Sequence, residues 1–245
     1  SGSDLNGMAV KEACDIICAR ISSYFIEKYR PNTNDVKFED GRVRGSNFDI
    51  SFEDAVYEIY TQRISLSSTG FYKTPDLQWD RIKGKGRPFY YFAYGAALCE
   101  VAIDRLTGES RILRTDILHD AGHSINPALD KGQIEGGFVQ GAGWLTTEEL
   151  VYGQDGALLT HAPSTYKIPA CSDRPYLLNI NLYEGGGNRS ETIHRSKAVG
   201  EPPLLLAISH FLALKEAIRA SSAKSKPELL NSPATLSKIL KVLKA

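Results

Sequence analysis

Apolar and polar positions recur along this chain with two different periods, and the switches between them mark its elements. Leu5, Val10, Ala13, Ile17, Ile21 and Phe25 are spaced by three to five residues. That is the spacing of one buried stripe, and it predicts a helix through Tyr29 with Asp4 as its cap. Pro31-Asn32-Thr33-Asn34 ends it. The next stretch is polar and contains glycine, until Phe48 and Ile50 predict a short strand. Ser51 and Asp54 have capping-box spacing ahead of a helix carrying Val56, Ile59 and Tyr60. Residues 64–72 read as a strand, Thr74-Pro75-Asp76 as the turn after it, and residues 83–88 as a basic, flexible loop.

Residues 89–103 form a long β-type run that turns at 104–108 and returns over 111–118 as a hairpin. Helical spacing resumes over 134–150 through Phe138, Gly141 and Leu145. Leu150-Val151-Tyr152 and Ala157-Leu158-Leu159 flank Gln154-Asp155-Gly156, a second hairpin pattern. Leu178, Ile180 and Leu182 alternate with Asn179, Asn181 and Tyr183, as in a half-buried strand. Pro202-Pro203 opens a last long helix to about Ala220. Its Leu204, Leu205, Leu206, Ile208, Phe211, Leu212, Leu214 and Ile218 cover nearly the whole circumference and predict an interior helix. The Lys- and Ser-rich tail from Ser221 holds a short amphipathic helix and is expected to wrap the surface. Helices and strands mix without a βαβ rhythm, so the predicted class is α+β, with mixed sheets and packed helices. Residues 1–220 read as one domain and 221–245 as a tail.

Composition narrows the function classes. The chain has 245 residues, 42% hydrophobic and 24% charged, enough for a sizeable core and too apolar for disorder. Its 29 basic and 29 acidic side chains cancel, against the basic excess of a nucleic-acid binder. No apolar run approaches the ~18 residues of a membrane-spanning helix. The four cysteines, Cys14, Cys18, Cys99 and Cys171, form no CxxC pair, so buried free thiols in a reducing, cytoplasmic compartment are expected. The chain begins Ser1-Gly2-Ser3-Asp4 with neither an initiator Met nor a secretory leader. It reads as a cleavage product or a piece of a longer protein.

Two segments carry candidate chemistry. Gly132, Gly136, Gly137, Gly141 and Gly143 crowd a predicted helix, where each interior glycine costs ~1 kcal/mol against alanine. Either the helix packs unusually closely, or its start faces a ligand with Gln133 supplying amide groups. In Lys197-Ala198-Val199-Gly200-Glu201-Pro202-Pro203, Glu201 stands before the most apolar helix. It either caps that helix or, with burial opposing the helix dipole, serves as a general base. His119 and His123 are spaced four apart but lie in a loop without an HExxH pattern, so no metal ligands are assigned. Thr69 and Ser164 lie outside any nucleophile motif. Gly185-Gly186-Gly187 reads as a turn.

Five ordered motifs make the chain resemble the molybdenum hydroxylases of the xanthine dehydrogenase/aldehyde oxidase family. They are Ser3-Asp4-Leu5-Asn6-Gly7, Gly70-Phe71-Tyr72-Lys73-Thr74-Pro75, Gly132-Gln133-Ile134-Glu135-Gly136, Pro163-Ser164-Thr165-Tyr166-Lys167-Ile168-Pro169 and residues 197–203. Within that family the resemblance is to the C-terminal part of the molybdopterin-binding large subunit of bacterial xanthine dehydrogenases. Residues 1–220 would then be the C-terminal molybdenum cofactor-binding domain, lacking its N-terminal portion. The resemblance implies that Glu201 is the general base for a Mo-bound hydroxyl, with hydride passing to a sulfido ligand and water as the oxygen source. It implies that Gln133 hydrogen-bonds the cofactor, that Lys197, Ala198, Val199 and Gly200 line it with backbone groups, and that Ser1, Gly2 and Ser3 close another cofactor loop. No side chain here would ligate the metal, because the pterin dithiolene holds it.

The implied reaction is purine oxidation, hypoxanthine to xanthine to urate. An aldehyde or another N-heterocycle as substrate, or a non-catalytic assembly module, are the alternatives. Iron–sulfur clusters of the 2Fe-2S type and FAD would sit in partner domains or subunits, with NAD as final acceptor. The expected partners are the rest of the large subunit and an FAD/iron–sulfur small subunit in a hetero-oligomer, with no nucleic acid and no membrane. The substrate-positioning arginine and aromatic residues of the family lie upstream, so this chain alone is expected to be inactive.

Overall fold

The computed structural model describes residues 2–33 and 35–244. Their contacts divide at Tyr90 into two compact units, each described here by itself.

In the first unit, a π turn, Gly2–Asn6, leads into α1, Gly7–Tyr29. Asp4 therefore lies inside the turn and does not cap α1. Only the second half of the expected stripe is fully buried, at Ile21 and Phe25, while Leu5 and Val10 stay exposed. The polar stretch after Asn34 contains more order than its composition suggests. Strands β1, Lys37–Glu39, β2, Arg42–Gly45, and β3, Phe48–Ser51, form an antiparallel meander. Val43 and Phe48 turn inward onto Phe25, and the ring of Phe48 stacks on Tyr29 at 4.9 Å. Helix α2, Phe52–Thr61, closes this core with Ala55 and Ile59. Its cap is as expected, with the Asp54 N–H donating to Ser51 Oγ at 3.0 Å.

Residues 64–72 are extended but form no strand. Their polar groups go to α1 instead: Arg20 donates to the Ser65 and Ser67 carbonyls, and the Phe71 N–H donates to Glu12 at 2.8 Å. Gly70 lies so close that a Cβ would overlap the Ala9 carbonyl. The basic segment is also not a free loop, because β4, Gln78–Asp80, pairs with β5, Lys85–Arg87, as a small exposed hairpin.

The second unit is built on a three-stranded sheet. Strand β6, Gly95–Ile103, pairs antiparallel with β7, Ser110–His119, and β7 pairs in parallel with β8, Leu177–Leu182. On one face lie α3, Pro127–Thr146, and α4, Ile208–Ser221, around Ile112, Ile117, Ile134, Phe138, Leu145 and Ala207. Helix α3 starts earlier than the apolar pattern suggests, because Asn126 caps it through the Leu129 N–H and Pro127 opens its first turn. The hairpin at 150–159 reduces to one bridge, Tyr152 with Leu158.

Three further expectations need correcting. The last helix begins as a 3-10 turn, Pro202–Ala207, and is not interior all round. Pro203, Ala207, His210, Leu214 and Ile218 are buried, whereas Leu205, Ile208 and Leu212 are exposed. The tail does more than wrap the surface: Leu230, Ala234 and α5, Leu236–Leu243, build a satellite core with Leu214 and Ile218. All four cysteines are free, but Cys14 and Cys171 are exposed and Cys18 and Cys99 only half-buried. No helix among the described residues is long and apolar enough to cross a membrane.

Candidate functional site

The glycines of α3 sort by what surrounds them. Gln133, Gly137 and Gly141 are spaced four apart and share one face of the helix. A Cβ on Gly137 would stand 3.0 Å from Pro203 Cβ, and one on Gly141 would overlap the Leu204 carbonyl oxygen. A Cβ on Gly200 would stand 3.6 Å from Gln133 Oε1. So residues 200–207 run along the bare stripe of α3, and that close approach brings Gly200, the residue before Glu201, beside Gln133. Close packing thus accounts for Gly137 and Gly141. Gly132 and Gly136 are different, since an added Cβ at either meets nothing within 4 Å.

Gln133, Gly200 and Glu201 are all exposed. Glu201 is neither buried nor a side-chain cap, although its carbonyl accepts from the Leu204 N–H at 3.1 Å. The burial expected of it is not supplied by this chain. Among the described residues, the N–H groups of Val199 and Gly200 meet no acceptor. Those of Lys197 and Ala198 do: Lys197 N–H donates to the Ala121 carbonyl at 2.8 Å, and Ala198 N–H to the Tyr91 hydroxyl at 2.7 Å. Of the four backbone donors expected to face a ligand, two are therefore engaged inside the fold.

The side chain of Lys197 is buried as well. Its Nζ lies 2.5 Å from Asp120 Oδ2, with the two side chains only 9% and 15% exposed, and donates to the Phe92 carbonyl at 3.0 Å. It also sits 5.2 Å from the Tyr94 ring centroid. Asp120 Oδ1 accepts from the Gly122 N–H at 2.9 Å. Gly122 has φ +64, and a Cβ there would overlap the Arg195 carbonyl, so the backbone crosses at this point only because the residue is glycine. Asp120, Tyr91 and Tyr94 belong to the site's support, and motif reading missed them. The visible clue was an acidic residue directly after the β7 run.

The remaining expectations place as follows. Gly2 and Ser3 are exposed in the π turn of the first unit, and Ser1 lies outside the described residues. His119 ends β7 fully buried, neither ring nitrogen having a partner, and burial holds its pKa below the usual imidazole value. His123 is exposed. Residues 163–169 pack against the end of α3: Tyr166 donates to Glu148 at 2.5 Å, and Pro169 lies against Gly143. A cavity of about 770 Å³ opens elsewhere in the second unit, lined by Ile112, Phe138, Ala142, Tyr176 and His210 among others, and touches neither Gln133 nor residues 197–201. No group of three or more His, Cys, Asp or Glu among the described residues is placed to hold a metal ion.

Known proteins are similar to this chain over nearly its whole length. The xanthine dehydrogenase/oxidase of Mus musculus is 46% identical over 245 residues, covering 98% of this chain and 17% of its own length. Xanthine dehydrogenase 1 of Arabidopsis thaliana is 45% identical over 251 residues, again covering 98% and 17%. The chain thus spans about a sixth of these relatives. Among solved structures, quinoline 2-oxidoreductase from Pseudomonas putida 86 superposes with a TM-score of 0.81 at 22% identity, covering 99% of this chain and 30% of that one. This likeness shows a shared fold. A family model described as the molybdopterin cofactor-binding domain matches residues 1–175, which include the stripe of α3 that holds Gln133. With that match over most of its length, the chain belongs to the molybdopterin cofactor-binding domain family.

Proposed function

We propose that this chain is the C-terminal cofactor-binding part of a purine hydroxylase, with Glu201 as its general base. The observation that carries the reading is the juxtaposition of Gln133 with Gly200, the neighbour of Glu201, along the glycine stripe of α3. The residues present suit a molybdopterin cofactor, which brings its own metal ligands. What surrounds Gly200 is an exposed carboxamide and two N–H groups without acceptors, a donor set for oxygen and nitrogen atoms. When bound, the cofactor supplies the metal centre and two-electron acceptor for hydroxylating an electron-poor carbon.

The chain's own residues do the rest. The Gln133 carboxamide and the Val199 and Gly200 N–H groups hold and orient the cofactor. The Glu201 carboxylate accepts the proton of the water-derived nucleophile as it attacks. Pro202 and Pro203 fix that carboxylate on the turn packed against α3, so its position is inherited from the helix. Xanthine dehydrogenases supply the purine assignment, and partner domains carrying 2Fe-2S clusters and FAD would take the electrons on to NAD.

The test uses the complete enzyme with its partner subunits. It should oxidise xanthine in preference to aldehydes; the reverse preference would assign an aldehyde hydroxylase. Gln133→Ala should lower molybdenum and pterin content severalfold, and parental content would remove the cofactor role of Gln133.

A further inference from the structure

We infer that the buried Lys197–Asp120 pair is a positioning device that holds Val199, Gly200 and Glu201 in register with Gln133. This rests on the proposed role of Glu201 and deepens it. The pair joins three separate stretches of the second unit. Asp120 follows β7, its N–H donates to the Tyr94 carbonyl at 2.8 Å, and its carboxylate takes both the Lys197 ammonium and the Gly122 N–H. Lys197 in turn reaches the Phe92 carbonyl, while its own N–H and that of Ala198 are fixed by Ala121 and Tyr91. Both N–H groups of residues 197 and 198 and the Lys197 ammonium are thereby tied, directly before the two N–H groups of Val199 and Gly200. On the other side, Leu204 and Ala207 are pressed against Gly141.

The loop bearing Glu201 is thus pinned at both ends, by charge at residue 197 and by packing at residue 204. Only the charged end has no counterpart in helix packing, so Lys197 and Asp120 are the residues whose loss should free the loop without disturbing α3. A general base must sit within hydrogen-bond reach of its proton, and displacement by about 1 Å costs on the order of 10²-fold in rate.

Removing one partner alone would leave an uncompensated buried charge and could unfold the segment for that reason. The informative protein is therefore the complete enzyme carrying Asp120→Asn and Lys197→Met together, which leaves no charge buried. Its turnover per bound molybdenum should fall on the order of 10²-fold, with KM for xanthine near parental. Amide hydrogen exchange at Lys197 and Ala198 should rise at least about tenfold, with α3 as protected as in the parent. Tyr91→Phe leaves the ion pair intact and removes the acceptor of the Ala198 N–H, so it should speed exchange at Ala198 with a smaller loss of turnover. If the double variant does not fold, Asp120→Glu, which keeps both charges and displaces the carboxylate, decides the question: turnover per molybdenum should fall and exchange at Lys197 and Ala198 should rise. Parental turnover per molybdenum, or unchanged exchange at Lys197 and Ala198, in a folded double variant overturns the inference; so do parental values of both in Asp120→Glu. Glu201→Ala, measured alongside, separates the two readings. Turnover retained there removes the base role, while the exchange data still decide the clamp.

Discussion

Alanine at Gly141 and alanine at Gly136 should have opposite effects, although both replace a glycine inside the same helix. Each change gains up to ~1 kcal/mol of helix propensity. At Gly136 nothing lies within 4 Å of the new methyl group, so that gain stands alone. At Gly141 the methyl would be 2.7 Å from Ala207 Cβ and would overlap the Leu204 carbonyl oxygen. Carbon atoms pack at ~3.5–4.0 Å, so the turn carrying Leu204 must retreat by close to 1 Å. Overpacking of this kind costs about 1–3 kcal/mol, so the net after the propensity gain spans about 0–2 kcal/mol, and the overlap with a backbone carbonyl puts this site in the upper part of that range. For a chain of this size 1 kcal/mol moves Tm by ~2–4 °C, so Gly141→Ala should melt several degrees below the parent and Gly136→Ala at or above it. Calorimetry on the two variants separates these outcomes. Equal Tm values for the two, or a Gly141→Ala protein as stable as the parent, would refute the close packing of residues 200–207 on α3.

Three other outcomes are expected. His210 is buried with neither nitrogen paired, and burial lowers its pKa from 6.5 to about 4. The unfolded chain binds a proton in that window and the folded chain does not. His210 therefore supports folding fully above pH 6.5, and that support, roughly 3 kcal/mol, is lost as pH falls through 4. Urea unfolding across this range should fall off less steeply for His210→Phe, and an identical pH dependence would show that His210 is not the source. Ser51→Ala should cost about 1 kcal/mol by removing the cap of α2, read as a lower urea midpoint; an unchanged midpoint would mean the cap contributes nothing. Gly122→Ala should destabilise strongly through both its positive φ and the Arg195 carbonyl, and a parental Tm would contradict the crossing described there.

Where the pattern of residues was decisive, it was read correctly, and the failures share a cause. The β6–β7 hairpin, β8 and α2 announce themselves through alternation, turn residues and a cap. Residues 64–72 have the composition of a strand, but their partner is the side-chain face of α1, and no local pattern distinguishes a helix from a neighbouring strand as the acceptor of an extended segment. The last helix is apolar on nearly every side, yet its Leu205, Ile208 and Leu212 are exposed in this chain. Apolar composition alone does not tell which side of a helix the fold buries, and here that side is set by the sheet, α3 and the tail. At the site, Gln133, Gly137 and Gly141 show their common face in their spacing alone. The ion pair of Lys197 with Asp120 joins residues 77 apart. Only the fold brings such a pair together, and this is why Lys197 was read for its backbone while its buried side chain went unnoticed.

The most direct measurement is anaerobic reduction of cofactor-replete Glu201→Ala enzyme by excess xanthine, followed by absorbance in a stopped-flow instrument with the parent alongside. This isolates substrate oxidation from the later electron acceptors. With the molybdenum content equal to that of the parent, reduction slowed by several orders of magnitude is the expected result. Reduction at the parental rate would contradict Glu201 as the general base.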